Sequence, residues 1–514
     1  MAEVPVLIAG GGLVGLCAAA FLHSHGVPAL TVERHTGTLA LPRARVVNVR
    51  SMELFRSLGL EQAIRAAPRS VFADRPLSIR ARTLAGPERA RMPRQPEGAA
   101  AEWSPGGPAF IDQNVLEPLV RAHLEAAGAD LRFGTRLVSF TIGDDGATAL
   151  LADARSGETC SVRCRYVIAA DGHRSGIRDT LGIDMTGETI ARFVTVIFRA
   201  DLTGPLAARA ISLAYLDEPA PGTLLTPFDG DGSWVLMVPF RSESGDAAES
   251  FDGDRCLRLI DAAIGRPVDA ELLLPRSAPV LGWELAARVA ETYRRGPVFL
   301  VGDAAHVMPP AGGFGANTGI ADVHNLAWKL AAVLRGSAGA ALLDSYDAER
   351  RPVAEATCAY SAGLLRARHD GAADGRAVAD PVTIALGYRY HADGPDFRSP
   401  GELHGEIGTR APHLVLERDG ESISTLDLFG PDWVVLTESA EVAAAVRARA
   451  IEAVCIGTDV RDVTGRWANA FDIEPGGAVL VRPDGFVGWR LPGPVADAGA
   501  VIAAVRARLS MRPH

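Results

Sequence analysis

Residues 4–34 read VPVLIAGGGLVGLCAAAFLHSHGVPALTVER, and their order of residue types decides the fold. An apolar run over 4–9 enters three consecutive glycines. A small-residue apolar run of helical length follows, then a second β-favouring stretch that ends on an acid. The pattern reads strand, tight turn, helix, strand. Gly10, Gly12 and Gly15 stand in G-x-G-x-x-G spacing. In that spacing the first glycine permits the sharp turn and the second lets the backbone approach a pyrophosphate. The third lets helix and strand pack closely. Leu13, Val14 and Gly15 open the helix, where free amides and the helix dipole favour phosphate. Glu33 ends the second strand, with Arg34 after it, where an acid accepts hydrogen bonds from a ribose. An acid there favours an unphosphorylated ribose, hence FAD or NAD over NADP. A purely structural glycine turn is the plain alternative, and the terminal acid argues against it. His23 and His25, two apart, do not share a helix face and are expected to be exposed near its end.

The chain around this unit has 514 residues, too many for one hydrophobic core, so two or three domains are expected. A net charge of −10 and a pI of about 5.7 leave no basic stripe for nucleic acid. Lys329 is the only lysine. The six cysteines are scattered, with no zinc spacing and no C-x-x-C, so no metal site is expected. Cys160 and Cys164 would share a strand face and read as packing residues. The first residues lack a charged n-region and a cleavage site. The longest apolar run, 13–22, is too short to cross a bilayer. A soluble, reduced, cytoplasmic protein with no membrane partner is the expectation.

Two more apolar strands run into acids. In YVIAADGHRSGIR (166–178) the strand ends at Asp171-Gly172, followed by Ser175 and Arg178. From residue 298, PVFLV is followed by Gly302-Asp303, then His306, Pro309, Pro310 and a loop with glycines at 312, 313 and 315. That loop enters a stretch with Ile320, Val323, Leu326, Leu330 and Val333 on one side and Gly336 as a stop, an amphipathic helix. Backbone amides of Gly315, Ala316 and Asn317 at its start can face an anionic ligand, with few side chains in the way. His306 reads as a hydrogen-bonding organiser of the loop.

In this order and at these separations the three stretches resemble the FAD-dependent aromatic hydroxylases, the single-component (group A) flavoprotein monooxygenases. Further blocks carry the same resemblance over nearly the whole chain: PRARVVNVRSMELFRSLGL (42–60), FIDQNVLEPLVRAHLEAAGADLRFGTRL (110–137) and LLDSYDAERRPVA (342–354). The look is that of the hydroxylases of aromatic polyketides. The resemblance implies a mixed α/β and α+β fold. Its parts are a discontinuous Rossmann-like FAD domain (1–72, 103–185 and 277–375), an inserted substrate sheet (73–102 and 186–276) and a thioredoxin-like domain (403–514). Residues 371–402, rich in Gly, Asp and Pro, read as a linker. With only Cys455 in the last domain, thiol–disulfide chemistry is excluded there.

The resemblance also implies roles. Gly10, Gly12, Leu13, Val14 and Gly15 would take the ADP half of FAD, with Glu33 and Arg34 at its ribose. Arg43, Gln113 and Leu137 would lie near the cofactor, and Asp171-Gly172 would serve FAD and NAD(P)H together. Gly302 and Asp303 would hold the ribityl chain, with Pro310, Gly313, Gly315, Ala316 and Asn317 facing the flavin ring. NADPH or NADH would bind transiently, lacking a second Rossmann unit. The reaction implied is hydroxylation of a phenolic, polycyclic aromatic substrate with O2 through a flavin C4a-hydroperoxide. Tyr215 could move the phenolic proton, and Arg366 or Arg368 could supply positive charge. A small-phenol hydroxylase, a Baeyer–Villiger oxygenase and a non-catalytic flavin-binding partner protein are the alternatives. Either a monomer or a homodimer is compatible.

Overall fold

The computed structural model describes residues 2–38, 43–93, 97–240, 248–275, 279–370, 380–390, 395–494 and 498–509. Among them, Ala2–Ala9 lies inside an eight-stranded sheet. It pairs in parallel with Ala29–Glu33 on one side and Thr159–Ala169 on the other. Val298–Leu300 and Asp130–Phe133 extend this parallel set outward. The strands are near-continuous apolar runs because both of their faces are covered: Val6, Leu7, Ile8, Leu30, Val32, Val167 and Ile168 are all buried. The helix Leu13–Ser24 is apolar almost all round for the same reason: it packs against both Gly315–Leu334 and Gln113–Ala126. All four strands that carry a glycine or acid motif are neighbours and run the same way. Their carboxyl ends therefore bring Gly10, Glu33, Asp171 and Asp303 to one edge, where open parallel sheets bind ligands.

A second, nine-stranded sheet stands over that edge. Its order begins His306–Val307, Val280–Ala290, Met185–Arg199, Ser233–Phe240, Thr223–Pro227 and Ile211–Leu216, and it ends with Leu77–Ala81 and Glu88–Pro93. Alternation along each strand sends Ile79, Val194, Val196, Phe198, Leu236 and their neighbours under the amphipathic helix Gly253–Ile264. The opposite face looks toward the first sheet. Residues 280–290, which the sequence pattern groups with the FAD domain, pair along their whole length with Met185–Arg199 and so belong to this second sheet.

The C-terminal sheet has the order Glu452–Cys455, Val434–Thr437, Ala478–Val481, Val487–Leu491, with the first pair parallel and the others antiparallel. Helices Ala440–Arg447 and Ala498–Leu509 cover one face, and Trp467 and Phe471 fill the other. That is the thioredoxin arrangement. Of the expected linker, 371–379 and 391–394 lie outside the described residues. Pro381–Leu386, by contrast, is a buried helix packed on Val49 and Ala100 rather than a free tether. His25 also departs from expectation: it is buried, and burial pushes its imidazole down to about 4. No helix among the described residues is long and apolar enough to cross a membrane.

Candidate active site

The first turn shows which glycines are obligatory. Gly10 sits at φ +115°, and a Cβ there would lie 2.2 Å from the Ala170 carbonyl oxygen. A Cβ on Gly15 would lie 1.9 Å from the Gly10 oxygen, so only glycine lets this helix rest on its turn. Gly12 differs: at φ −75° its Cβ would meet only Glu117 Oε1, at 3.8 Å. The turn is open to a ligand on that side. Glu33 lies half-buried at the lip, where Oε2 accepts from the Gly11 amide (2.8 Å) and Oε1 from the His35 amide (2.9 Å). Arg34 beside it is exposed. One expected phosphate donor is already engaged, because the Leu13 amide donates to Glu117 Oε1 at 2.9 Å. Gln113 Nε2 donates to the same oxygen (2.7 Å), while Gln113 Oε1 accepts from the Ala44 amide (3.2 Å). Glu117 escaped the sequence reading, although its i,i+4 spacing from Gln113 was the available signal. Leu137 is half-buried on the strand Thr135–Gly143, packed against the core of the first sheet.

The second and third motifs are tied to each other. Asp171 accepts from Ser175 Oγ and from the Ile177 amide, capping the short helix Gly176–Thr180; burial raises its carboxyl above the usual range. Gly172 follows in a left-handed turn (φ +82°). Arg178 Nη1 donates to the Ala304 carbonyl at 3.2 Å, joining this turn to Gly302–Ala304. Asp303 is exposed at the site edge, and its charge together with that of Arg43 is felt by His173, whose imidazole is lowered chiefly by burial. Gly302 is pinned from behind: its amide donates to Asp322 Oδ2 (3.3 Å), which also pairs with His306 Nε2 at 2.8 Å. Val14 packs against Gly302 and Gly319, so its part in this turn is steric.

Beyond His306 the chain exposes Pro310, Gly312 and Gly313 and then enters Gly315–Leu334, whose start no side chain caps. Its first amides have no acceptor within the helix. The loop is set by Asn317, whose Nδ2 donates to the Gly313 (2.7 Å) and Val46 (3.1 Å) carbonyls and whose Oδ1 accepts from the Asn48 amide (2.9 Å). A bare, rigid cradle beside an uncapped helix start fits the flat, anionic end of a flavin, and the open side of Gly12 fits its pyrophosphate.

Over this cradle, Arg80, Tyr215, Leu224, Met237, Thr195 and Leu281 form one row across the second sheet, on the face opposite its own core. Met237 clusters with Phe193, Trp283 and Leu365 around Ala311 of the glycine loop, which closes sheet onto loop. Phe193 and Trp283 stack at 5.0 Å and 18°, and Trp283 Nε1 donates to Thr195 Oγ1 at 2.9 Å. Tyr215 is buried in this row. Arg366 is not brought to it: its guanidinium pairs on the surface with Glu188. Glu188 is seven residues up the strand from Thr195, about 23 Å at 3.3 Å per residue. The side chain of Arg368 lies outside the described residues. The buried cation near the roof is Arg45, the second arginine of PRAR. It stacks on Phe72 at 4.8 Å and donates from Nη2 to the Phe228 carbonyl at 3.3 Å.

Comparison with known proteins identifies the family. Residues 3–361 match the FAD binding domain family, and residues 404–510 match the aromatic-ring hydroxylase C-terminal domain. A polyketide hydroxylase of Streptomyces halstedii, named putative, is 41% identical, covering 96% of this chain and 94% of its own. The 4-methyl-5-nitrocatechol 5-monooxygenase of a Burkholderia species is 40% identical, covering 95% and 94%. The crystal structure of aklavinone-11 hydroxylase with FAD and aklavinone superposes with a TM-score of 0.90 at 36% identity over 100% of both chains. With the motif-bearing strand ends gathered at one edge and both domains matched along their length, the chain belongs to the FAD-dependent aromatic-ring hydroxylases.

Proposed function

We propose that this enzyme hydroxylates a phenolic ring of a polycyclic, polyketide-type aromatic, using FAD, NAD(P)H and O2. The observation that carries the substrate class is the roof. From Tyr215 to Leu281 its row crosses five strands, about 19 Å at 4.8 Å per strand, and the Phe193–Trp283 stack walls one end. A face that wide and apolar suits several fused rings rather than one. The identity to a nitrocatechol monooxygenase supports a second reading, a single-ring phenol. Oxidation of NAD(P)H tested against fused-ring and single-ring phenols separates the two. Stimulation by fused-ring phenols alone, with one oxygen added to product, is expected; stimulation by single-ring phenols alone overturns the substrate class.

Bound flavin supplies the oxygen-transfer chemistry. The protein's own residues bind and orient around it. Gly12 would admit the pyrophosphate, Glu33 would take the adenosine ribose, and Asp303 would take the ribityl hydroxyls. The amides of Gly315, Ala316 and Asn317, at a helix start no side chain caps, would hold the anionic end of the ring. Asp303→Ala removes a charged acceptor and should weaken FAD binding about 10- to 100-fold. Titration of the apoenzyme with FAD, followed by flavin fluorescence, reads this, and an unchanged affinity removes Asp303 from the site.

The Tyr215 Oη lies in the row that faces the cradle, where its hydroxyl can hydrogen-bond a substrate phenol and help move the phenolic proton as the ring is attacked. Tyr215→Phe should lower kcat about 100-fold or more while leaving FAD affinity intact. Full turnover by Tyr215→Phe would place the proton transfer elsewhere.

A further inference from the structure

The C-terminal domain reaches the glycine cradle through a set of buried hydrogen bonds. Arg482 and Asp484 stand in the turn between Ala478–Val481 and Val487–Leu491. Arg482 grips Glu349 with both ends, Nη1 to Oε1 at 2.7 Å and Nη2 to Oε2 at 2.8 Å, and it also bonds Asp484. Asp484 Oδ2 accepts from Trp328 Nε1 (3.1 Å) and Asn325 Nδ2 (3.3 Å) on the helix that starts at the glycine loop. Next to Glu349, Arg350 donates from Nη1 to Tyr390 Oη (3.2 Å) and from Nε to Asp322 Oδ1 (2.9 Å). Phe486, beside the turn, stacks on Tyr390 at 4.4 Å. Asp322 then holds the Gly302 amide and His306, and Gly302 precedes Asp303. A second strand of contacts runs from the Asp484 carbonyl to Arg50 Nη2 (2.9 Å), in the helix whose N-cap residue, Asn48, is bonded to Asn317.

Stability alone does not call for such a network. Burying paired charges is often no better than apolar packing of the same volume. The C-terminal domain has two apolar clusters of its own and an apolar contact, Trp433 on Trp328, with which to dock. Fully paired buried networks do fix geometry closely, and this one ends on both halves of the flavin cradle. We infer that the C-terminal domain anchors the flavin site. Arg482 and Asp484 act as positioning residues, holding Gly302–Asp303 and the start of Gly315–Leu334 through Glu349, Tyr390, Arg350 and Asp322.

The inference rests on the FAD reading of that cradle. It requires that docking of the domain and FAD binding strengthen each other by the same factor, since coupling free energy is reciprocal. FAD dissociation constants are measured by fluorescence for the wild type, Asp484→Asn, Arg482→Met and a control, Val479→Ala, which trims the domain's own buried core. Amide exchange over 478–491 is followed with and without FAD. Both network variants should bind FAD about tenfold more weakly and the control as the wild type. FAD should slow exchange at the hairpin in the wild type. If Arg482→Met does not fold, the near-isosteric Asp484→Asn decides. Unchanged FAD affinity in a folded network variant overturns the inference, as does an equal loss in the control or a hairpin indifferent to FAD. A wild-type protein that binds no FAD overturns the cradle reading as well.

Discussion

Gly12→Ala will give a folded, colourless protein, whereas Gly15→Ala will lose both colour and fold stability. The two residues lie three apart in one turn, yet their surroundings oppose each other. A methyl group on Gly15 would sit 1.9 Å from the Gly10 oxygen and 2.9 Å from its carbonyl carbon. Both are backbone atoms that no rotamer change can move, so the helix must lift off the strand it packs on. A methyl group on Gly12 meets nothing in the protein nearer than 3.8 Å, at an ordinary φ of −75°. The fold should accept it. The methyl then stands in the path of the pyrophosphate, and FAD affinity should fall about 100-fold or more, on the order of 3 kcal/mol. Far-UV circular dichroism and thermal unfolding report the fold, and flavin absorbance after FAD addition reports the site. Gly12→Ala that keeps wild-type FAD affinity would show that the cofactor approaches by another face.

That contrast also explains how much the sequence could say. Gly10, Gly15, Glu33, Asp171 and Asp303 were legible because each is set by its own backbone or sits at a strand end, and strand ends are local features. The carboxylates behind them were not. Glu117 and Asp322 matter only once their helices are docked, and inside an apolar pattern each looks like an ordinary polar position. Arg366 shows the converse. A cation in LLRARHDG looked available for a substrate, but its partner Glu188 is 178 residues away in the chain. Pairing at such separation leaves no local mark. Strand 280–290 joins the second sheet and not the first for the same reason, since its partner in the sheet lies about a hundred residues earlier. The thioredoxin-like order of the last domain could be read from its alternation of elements, whereas its grip on the flavin domain could not.

That grip yields the largest stability effect expected outside the glycine turn. Glu53 is buried between two arginines from different domains: Arg410 bonds both its oxygens, and Arg50 Nη1 donates to Oε2 at 2.9 Å. Burial alone would raise this carboxyl, but Arg410 and Arg50 outweigh it and hold the group below the ordinary carboxylate value of 4.5. Glu53→Ala leaves two buried guanidinium groups facing each other with no anion, a loss of about 3–5 kcal/mol. The pH dependence carries the sign. A carboxylate with a lowered folded-state pKa contributes stability that is complete above its unfolded value and is lost as pH falls through the folded one. Wild-type unfolding should therefore steepen with acid below about pH 4.5. In Glu53→Gln the slope should be shallower by up to about 1.4 kcal/mol per pH unit, the equivalent of one proton. Urea unfolding at a series of pH values, read by tryptophan fluorescence, measures both effects. Parallel slopes in the two proteins would mean that Glu53 is not ionised between its arginines, and the contact joining the two domains would have to be redrawn as a neutral one.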